Sequence, residues 1–224
     1  MHLNKESGKW CSNQAGLGGL ADSFYEYLIK LWVYQGKKDK ELLDMYLNAI
    51  DSAERNFIRK SKSGFLYAGE YNNGAVMNKM GHLACFTGGM FALTAMAVDT
   101  LTIAQKEKYE ELAKGITNTC HESYVRMPTH IGPESFNMDP GAEFNPMDRY
   151  YILRPETVES YFYLWRMTKD EKYRDWAWDA VEAIEKHCRT ENGYSGLREV
   201  ASISGSKDDV QQSFFFAETL KVSR

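Results

Sequence analysis

Residues 153–165 read LRPETVESYFYLW, and the tripeptide Arg154-Pro155-Glu156 marks where a helix should begin. Proline suits the first turn of a helix, where its missing N–H costs no hydrogen bond. Glu156 then falls in that first turn, beside the positive end of the helix dipole. Behind it Val158, Tyr161, Phe162, Leu164 and Trp165 put large apolar groups on more than one face, the mark of a buried helix. A carboxylate is thereby held at the mouth of an enclosed helix. By itself it reads as an ordinary helix-capping acid.

Working outward, the same design returns along the chain. A helix is expected from Gly19 through the run ADSFYEYLIKLW, apolar on most sides, with residues 1–18 a polar, Gly-rich loop before it. Its partner runs from about Glu41 to Arg59, with Leu42, Leu43, Tyr46, Ala49, Ile50, Ala53 and Phe57 at amphipathic spacing. Residues 63–75 carry an Asn-Gly hairpin signal. His82–Val98 reads as a second buried helix and Ala104–Val125 as its more polar mate. The Pro- and Gly-containing stretch 127–148 is long for a loop, and such loops tend to be functional. Glu156–Met167 is the third buried helix, Glu171–Arg189 its amphipathic partner, GYSGLREV a turn with a short strand, and Asp209–Lys221 a seventh helix.

Buried helices therefore open near residues 20, 82, 155 and 209, each but the last followed by an amphipathic one, and Glu26–Trp32 (EYLIKLW) echoes Glu159–Trp165 (ESYFYLW). Helices apolar all round need to be enclosed by amphipathic ones. Two concentric rings meet that need better than a plain bundle, which does not require every second helix to be so apolar. The fold class is all-α: about seven helices forming roughly half of an α/α toroid, with short β-hairpins between helix pairs.

Composition sets the outer bounds. The chain has 224 residues, 43% of them hydrophobic and 26% charged, which suits one globular domain or part of one. A net charge of −4 argues against nucleic acid as a partner. No apolar run approaches the roughly 18 residues of a membrane span. The opening MHLNKESGKW holds no signal-peptide core, which implies a cytosolic chain or one lacking its N-terminal part. Cys11, Cys85, Cys120 and Cys188 lack metal-ligand spacing, and their separation suits one structural disulfide or buried thiols equally.

In a toroid the inner helices run parallel, so their like ends meet at one mouth. Asp22, His82, Glu156 with Glu159, and Glu218 would gather there, with Phe24 and Phe214 as aromatic neighbours. Singly, Asp22 reads as a cap, His82 as a core histidine and Glu218 as a solvated charge. Together they suit divalent-cation binding or acid/base cleavage of a glycosidic bond.

The motifs LADSFYEYLIK, KMGHLACFTGGMFAL, YYILRPETVESY, NGYSGLREV and DDVQQSFFFAETLK resemble the class I α1,2-mannosidases of glycoside hydrolase family 47, most of all the animal Golgi enzymes. The likeness runs from about Asn4 to Lys221 and implies part of one catalytic domain across 1–224, built as half of an (α/α)7 barrel. It implies inverting, Ca²⁺-dependent removal of terminal α1,2-linked mannose from high-mannose N-glycans on glycoproteins, in the lumen of the Golgi or endoplasmic reticulum. By motif, Asp22 matches a catalytic acid and Glu156 the carboxylate that activates water. Arg154, His82, Phe214 and Glu218 match substrate-binding positions. Glu156, Glu159 and Glu218 would meet the ion through water. Cys85 and Cys120 match the family disulfide, leaving Cys11 and Cys188 outside it. The family's N-terminal half, with its membrane anchor and first catalytic glutamate, and the last helix, whose threonine binds Ca²⁺ directly, have no counterpart here. The stretch alone is therefore expected to be inactive and to bind Ca²⁺ weakly at best. The competing readings are a non-catalytic mannose-binding relative in glycoprotein quality control and a helical-repeat scaffold. Acids and aromatics at inner-helix mouths argue against the scaffold.

Overall fold

Helix α3 (Phe86–Ala97) is the centre of the structure, a computed structural model that describes residues 4–9 and 11–223. Ten of its twelve residues are buried, so every face meets another part of the chain. Around it lie α1 (Asp22–Tyr34) and α5 (Glu156–Thr168), which with α3 make an inner layer. The outer layer is α2 (Lys40–Asn56), α4 (Ile103–Val125) and α6 (Lys172–Cys188), each packed on the helix that precedes it. The alternation of inner and outer helices is the one expected from the apolar pattern.

Local chemistry starts these helices. Asp39 caps α2 by accepting the Leu42 N–H, and Thr102 and Gln105 form a reciprocal capping box at α4. Pro155 immediately precedes α5, and its carbonyl accepts from the Glu159 N–H at 2.8 Å. Lys169, in the left-handed region at φ 60°, ends α5.

Close approach within the inner layer rests on small residues. A Cβ built on Gly89 would meet the Tyr163 ring at 2.7 Å, and one on Gly88 would run into Thr117 of α4 and Ser160 of α5. Ser160 uses that proximity: its hydroxyl accepts from the Gly89 N–H at 2.8 Å and donates to the Cys85 carbonyl at 2.6 Å. The Cys85–Cys120 disulfide, with Cα atoms 5.9 Å apart, ties the start of α3 to α4.

Several boundaries differ from expectation. The second helix stops at Asn56, because β2 (Ile58–Lys60) leaves to pair with β3 (Leu66–Ala68). The Asn-Gly turn joins β4 (Glu70–Asn72) to β5 (Ala75–Met77), with Asn73 and Gly74 both at positive φ as a type I′ turn requires. Within the expected N-terminal loop, β1 (Gln14–Ala15) adds to β4; residues 1–3 and 10 of that loop lie outside the described residues. Residues 82–85 form a 3₁₀ turn rather than the first turn of α3. The stretch 127–148 is not structureless: β7 (Ser135–Asn137) and β8 (Pro146–Asp148) add to β6 (Lys79–Gly81) as an antiparallel sheet.

Two further corrections concern the helices. Of the inner helices only α3 is buried all round, whereas α1 exposes Phe24, Tyr27, Leu31 and Tyr34. The seventh helix does not begin at Asp209. Residues 196 and 208–210 pair through Asp208 N–H to Gly196 O and Gly196 N–H to Val210 O, and Asp209 sits at φ 64°. Helical structure starts only with a π turn over Phe215–Thr219, continued by α7 (Leu220–Val222). Among the described residues no helix is long and apolar enough to cross a membrane.

Candidate active site

Leu153 is fully buried with φ 64°, a costly conformation for a branched residue, at the turn that delivers the chain into α5. Its carbonyl accepts from the Thr219 hydroxyl at 2.6 Å, which fixes the π turn against this corner. Arg154 leaves the turn toward Glu134, donating a two-pronged bond from Nε and Nη2 at 2.5 and 2.7 Å. The next acid, Glu156, opens α5.

Glu156 meets the His82 ring, with Oε2 2.9 Å from Nδ1, while the other ring nitrogen lies 2.6 Å from the Tyr124 hydroxyl. Arg154 Nη1 stands 3.8 Å from Glu156 Oε1. Burial alone would push the Glu156 carboxyl up. The His82 ring, a backbone N–H and Arg154 outweigh that and hold it below the usual carboxylate range. It is therefore an ionised group at neutral pH, mostly enclosed and in contact with His82 and Arg154.

One turn further into the inner layer lies a second group. Lys30 of α1 bridges Glu26, with which it forms a close ion pair, and Glu159 Oε1 at 3.1 Å. Burial pushes the Glu159 carboxyl up to about 7, with Lys30 opposing and the neighbouring Glu26 adding to the rise. Ser23, Glu26, Lys30, Glu159, Tyr163 and Glu218 line a cavity of about 520 Å³ between α1, α5 and the π turn.

The remaining expected residues stand around these two groups. Asp22, half-buried at the start of α1, is raised by burial and by the charges of Glu156 and Glu26, against its bond from the Ser23 N–H and against Arg154. Glu218 is raised by burial and by the same two glutamates, with Lys30 and Lys221 opposing. Phe214 is half-buried ahead of the π turn, Phe215 enters the core beside Tyr194, and Phe216 is exposed. Thus Asp22, Glu156, Glu159 and Glu218 share one field, with His82 and Arg154 in direct contact with Glu156.

The sequence reading missed Glu134, Tyr124 and Lys30. The echo of EYLIKLW in ESYFYLW pairs Glu26 with Glu159, the two acids that share Lys30. Nothing local in the sequence pointed to Glu134 as the partner of Arg154. Among the described residues no three His, Cys, Asp or Glu side chains converge closely enough to hold a metal ion directly. Glu156 faces His82 and Arg154, and Glu159 faces Lys30, so the oxygen ligands that Ca²⁺ requires have other partners. These residues do not fit a directly held Ca²⁺.

A two-layered arc of helices with an acid-lined cavity between α1, α5 and the π turn places the chain in a class of fold, the α/α toroids. The particular family follows from comparison: the description of glycosyl hydrolase family 47 matches residues 1–222, and the chain belongs to that family. It is 53% identical over 224 residues to mannosyl-oligosaccharide 1,2-alpha-mannosidase IA of Sus scrofa, covering 98% of this chain and 33% of that protein. It is 51% identical to mannosyl-oligosaccharide alpha-1,2-mannosidase IA of Drosophila melanogaster, with the same coverage. Among solved structures, alpha-1,2-mannosidase from Trichoderma reesei superposes with a TM-score of 0.87 at 30% identity, over 99% of this chain and 49% of that one. The chain thus spans about a third of the length of these curated relatives and forms about half of the (α/α)7 barrel.

Proposed function

We propose that these residues are part of the catalytic domain of a mannosyl-oligosaccharide α1,2-mannosidase that trims terminal α1,2-linked mannose from high-mannose N-glycans by inversion. The observation that carries the reading is Glu156, buried yet held ionised by His82 and Arg154 at the head of α5, beside an acid-lined cavity. Inverting glycosidases place a base so that it takes a proton from water while the water oxygen attacks the anomeric carbon. The glycosidic C–O bond breaks as a second carboxyl group protonates the departing oxygen, and the two carboxyls stand about 6.5–9.5 Å apart.

Glu156 is suited to the base, being ionised and fixed. Asp22, whose carboxyl is raised by burial, takes part as an acid of the site. Arg154 and His82 orient Glu156, and Arg154 faces the glycan with Glu218 while Phe214 offers a ring face to the sugar. His82, expected to bind the sugar itself, is buried with both ring nitrogens engaged by Glu156 and Tyr124, and so acts through Glu156. Ca²⁺ would meet Glu156, Glu159 and Glu218 through water, where its charge would help position the sugar. The Cys85–Cys120 disulfide suits the lumen of the Golgi or endoplasmic reticulum.

Two assays test this reading. NMR titration of the chain with α1,2-mannobiose should give saturable shifts at Arg154 and His82, weakened by Arg154→Ala. With a Man9 N-glycan and millimolar Ca²⁺, the 224-residue chain by itself should release no mannose. Indifference to mannobiose would count against the reading, and turnover comparable to a longer family member would overturn the expected inactivity.

A further inference from the structure

The base and three residues around it form a closed circuit. Glu134 accepts the forked bond of Arg154, Arg154 lies against Glu156, and Glu156 meets the His82 ring. The His82 backbone N–H then donates to the Glu134 carbonyl at 2.8 Å, which closes the circuit. The Glu134 N–H also donates to the Tyr150 carbonyl at 2.9 Å, so the backbone here is held from both sides. Glu134 and Arg154 expose only 15% and 14% of their side chains, which leaves little water to substitute for either partner.

We propose that Glu134 is a positioning residue of the mannosidase site: its carboxylate aims Arg154 at the glycan and holds it beside Glu156. This rests on the functional reading above, in which Arg154 meets the sugar. The physical reason is the planar fork of the guanidinium. Two parallel bonds to one carboxylate fix the plane of the group as well as its place, which a single contact does not. A guanidinium freed from that fork would swing toward Glu156, the other acid within reach, and leave the sugar side. Glutamine at 134 has nearly the same shape but presents one acceptor and one donor group, so it accepts only one arm of the fork.

The test uses the full chain, ¹⁵N-labelled, as wild type, Glu134→Gln and Glu134→Asp. The wild type should show a sharp, slowly exchanging Arg154 Nε–H signal, and Glu134→Gln should broaden or shift it toward the position of a free arginine. Titration with α1,2-mannobiose should be at least tenfold weaker in Glu134→Gln and partly restored in Glu134→Asp, which keeps the charge. A purely structural Glu134 would lower the melting temperature while leaving the Arg154 signal and sugar affinity intact, and that result overturns the proposal. Mannobiose binding unchanged in Glu134→Gln, with Arg154 released, sinks the proposal alone. A wild type that ignores mannobiose sinks the parent reading and the proposal with it. Should the Gln variant not fold, Glu134→Asp carries both readouts, and an unaltered Arg154 signal and affinity there count against the proposal.

Discussion

Lys30 on α1 and Glu159 on α5, 129 residues apart, form an ion pair at 3.1 Å across the inner layer. Lys30 Nζ also lies 5.8 Å from the centre of the Tyr163 ring and pairs with Glu26 on its own helix. Burial alone would lower the Lys30 ammonium, but Glu159, Tyr163 and Glu26 hold it raised, so the cation is permanent. Lys30→Met would leave Glu26 and Glu159 facing each other without it. The expected cost is about 1–2 kcal/mol, below that of breaking a fully buried pair because the lysine is a third exposed. Urea denaturation at pH 7.5 measures it, and an unchanged midpoint would refute the bridging role.

Glu159 and Glu156 should also move stability with pH in opposite directions. The Glu159 carboxyl is raised from 4.5 to about 7, so the folded state holds its proton more tightly than the unfolded chain. Its contribution is complete below about pH 4.5 and is lost as pH rises toward 7. Glu156 is held below 4.5, so its contribution is present above that pH and is lost on acidification. Glu159→Gln should flatten the fall in stability between pH 4.5 and 7, as read by denaturation at each pH. An undiminished slope in that window would contradict the assignment.

In any form of the protein that turns over a Man9 N-glycan, Glu156→Gln should lower kcat by at least about 10²-fold, the scale of a lost general base. Glu26→Gln should cost much less, because Glu26 is engaged with Lys30 rather than with His82 and Arg154. Equal losses with folding intact would remove Glu156 from the base role.

The disulfide joins residues 35 apart in sequence, and closing a loop of that length restricts the unfolded chain by about 4 kcal/mol in the entropy model. Cys120→Ala should therefore lower unfolding free energy by an amount of that order, and reductant should do the same to the wild type but not to the variant. Denaturation curves with and without dithiothreitol make the comparison.

Gly88→Ala should destabilise by about 1–3 kcal/mol, the cost of overfilling a packed core. The added methyl meets Thr117 and Ser160 from two different helices, so neither neighbour has room to yield. An alanine variant as stable as wild type would show that α3, α4 and α5 are more loosely packed than their contacts imply.

Much of this molecule was legible because the relevant forces are local. The 3–4 spacing of apolar residues, Pro155 before Glu156 and the Asn73–Gly74 turn all act within a few residues, and each appears where the pattern put it. The alternation of buried and amphipathic helices carried the two-layered arc, since a helix as apolar as α3 has to be enclosed. The motifs carried the family.

What the tertiary structure alone decided are the pairings between distant residues and the exposure of each face. Arg154 finds Glu134, 20 residues away, only because β7 and β8 fold residues 127–148 back onto β6. Lys30 finds Glu159 only because α1 and α5 flank the same helix. The segment after Asp209 has helix-compatible residues, yet its backbone groups pair with residue 196, and the helix is delayed to the π turn. A sequence window registers propensity and period, whereas these choices depend on which competing hydrogen bonds and charges the packed chain brings within about 3 Å.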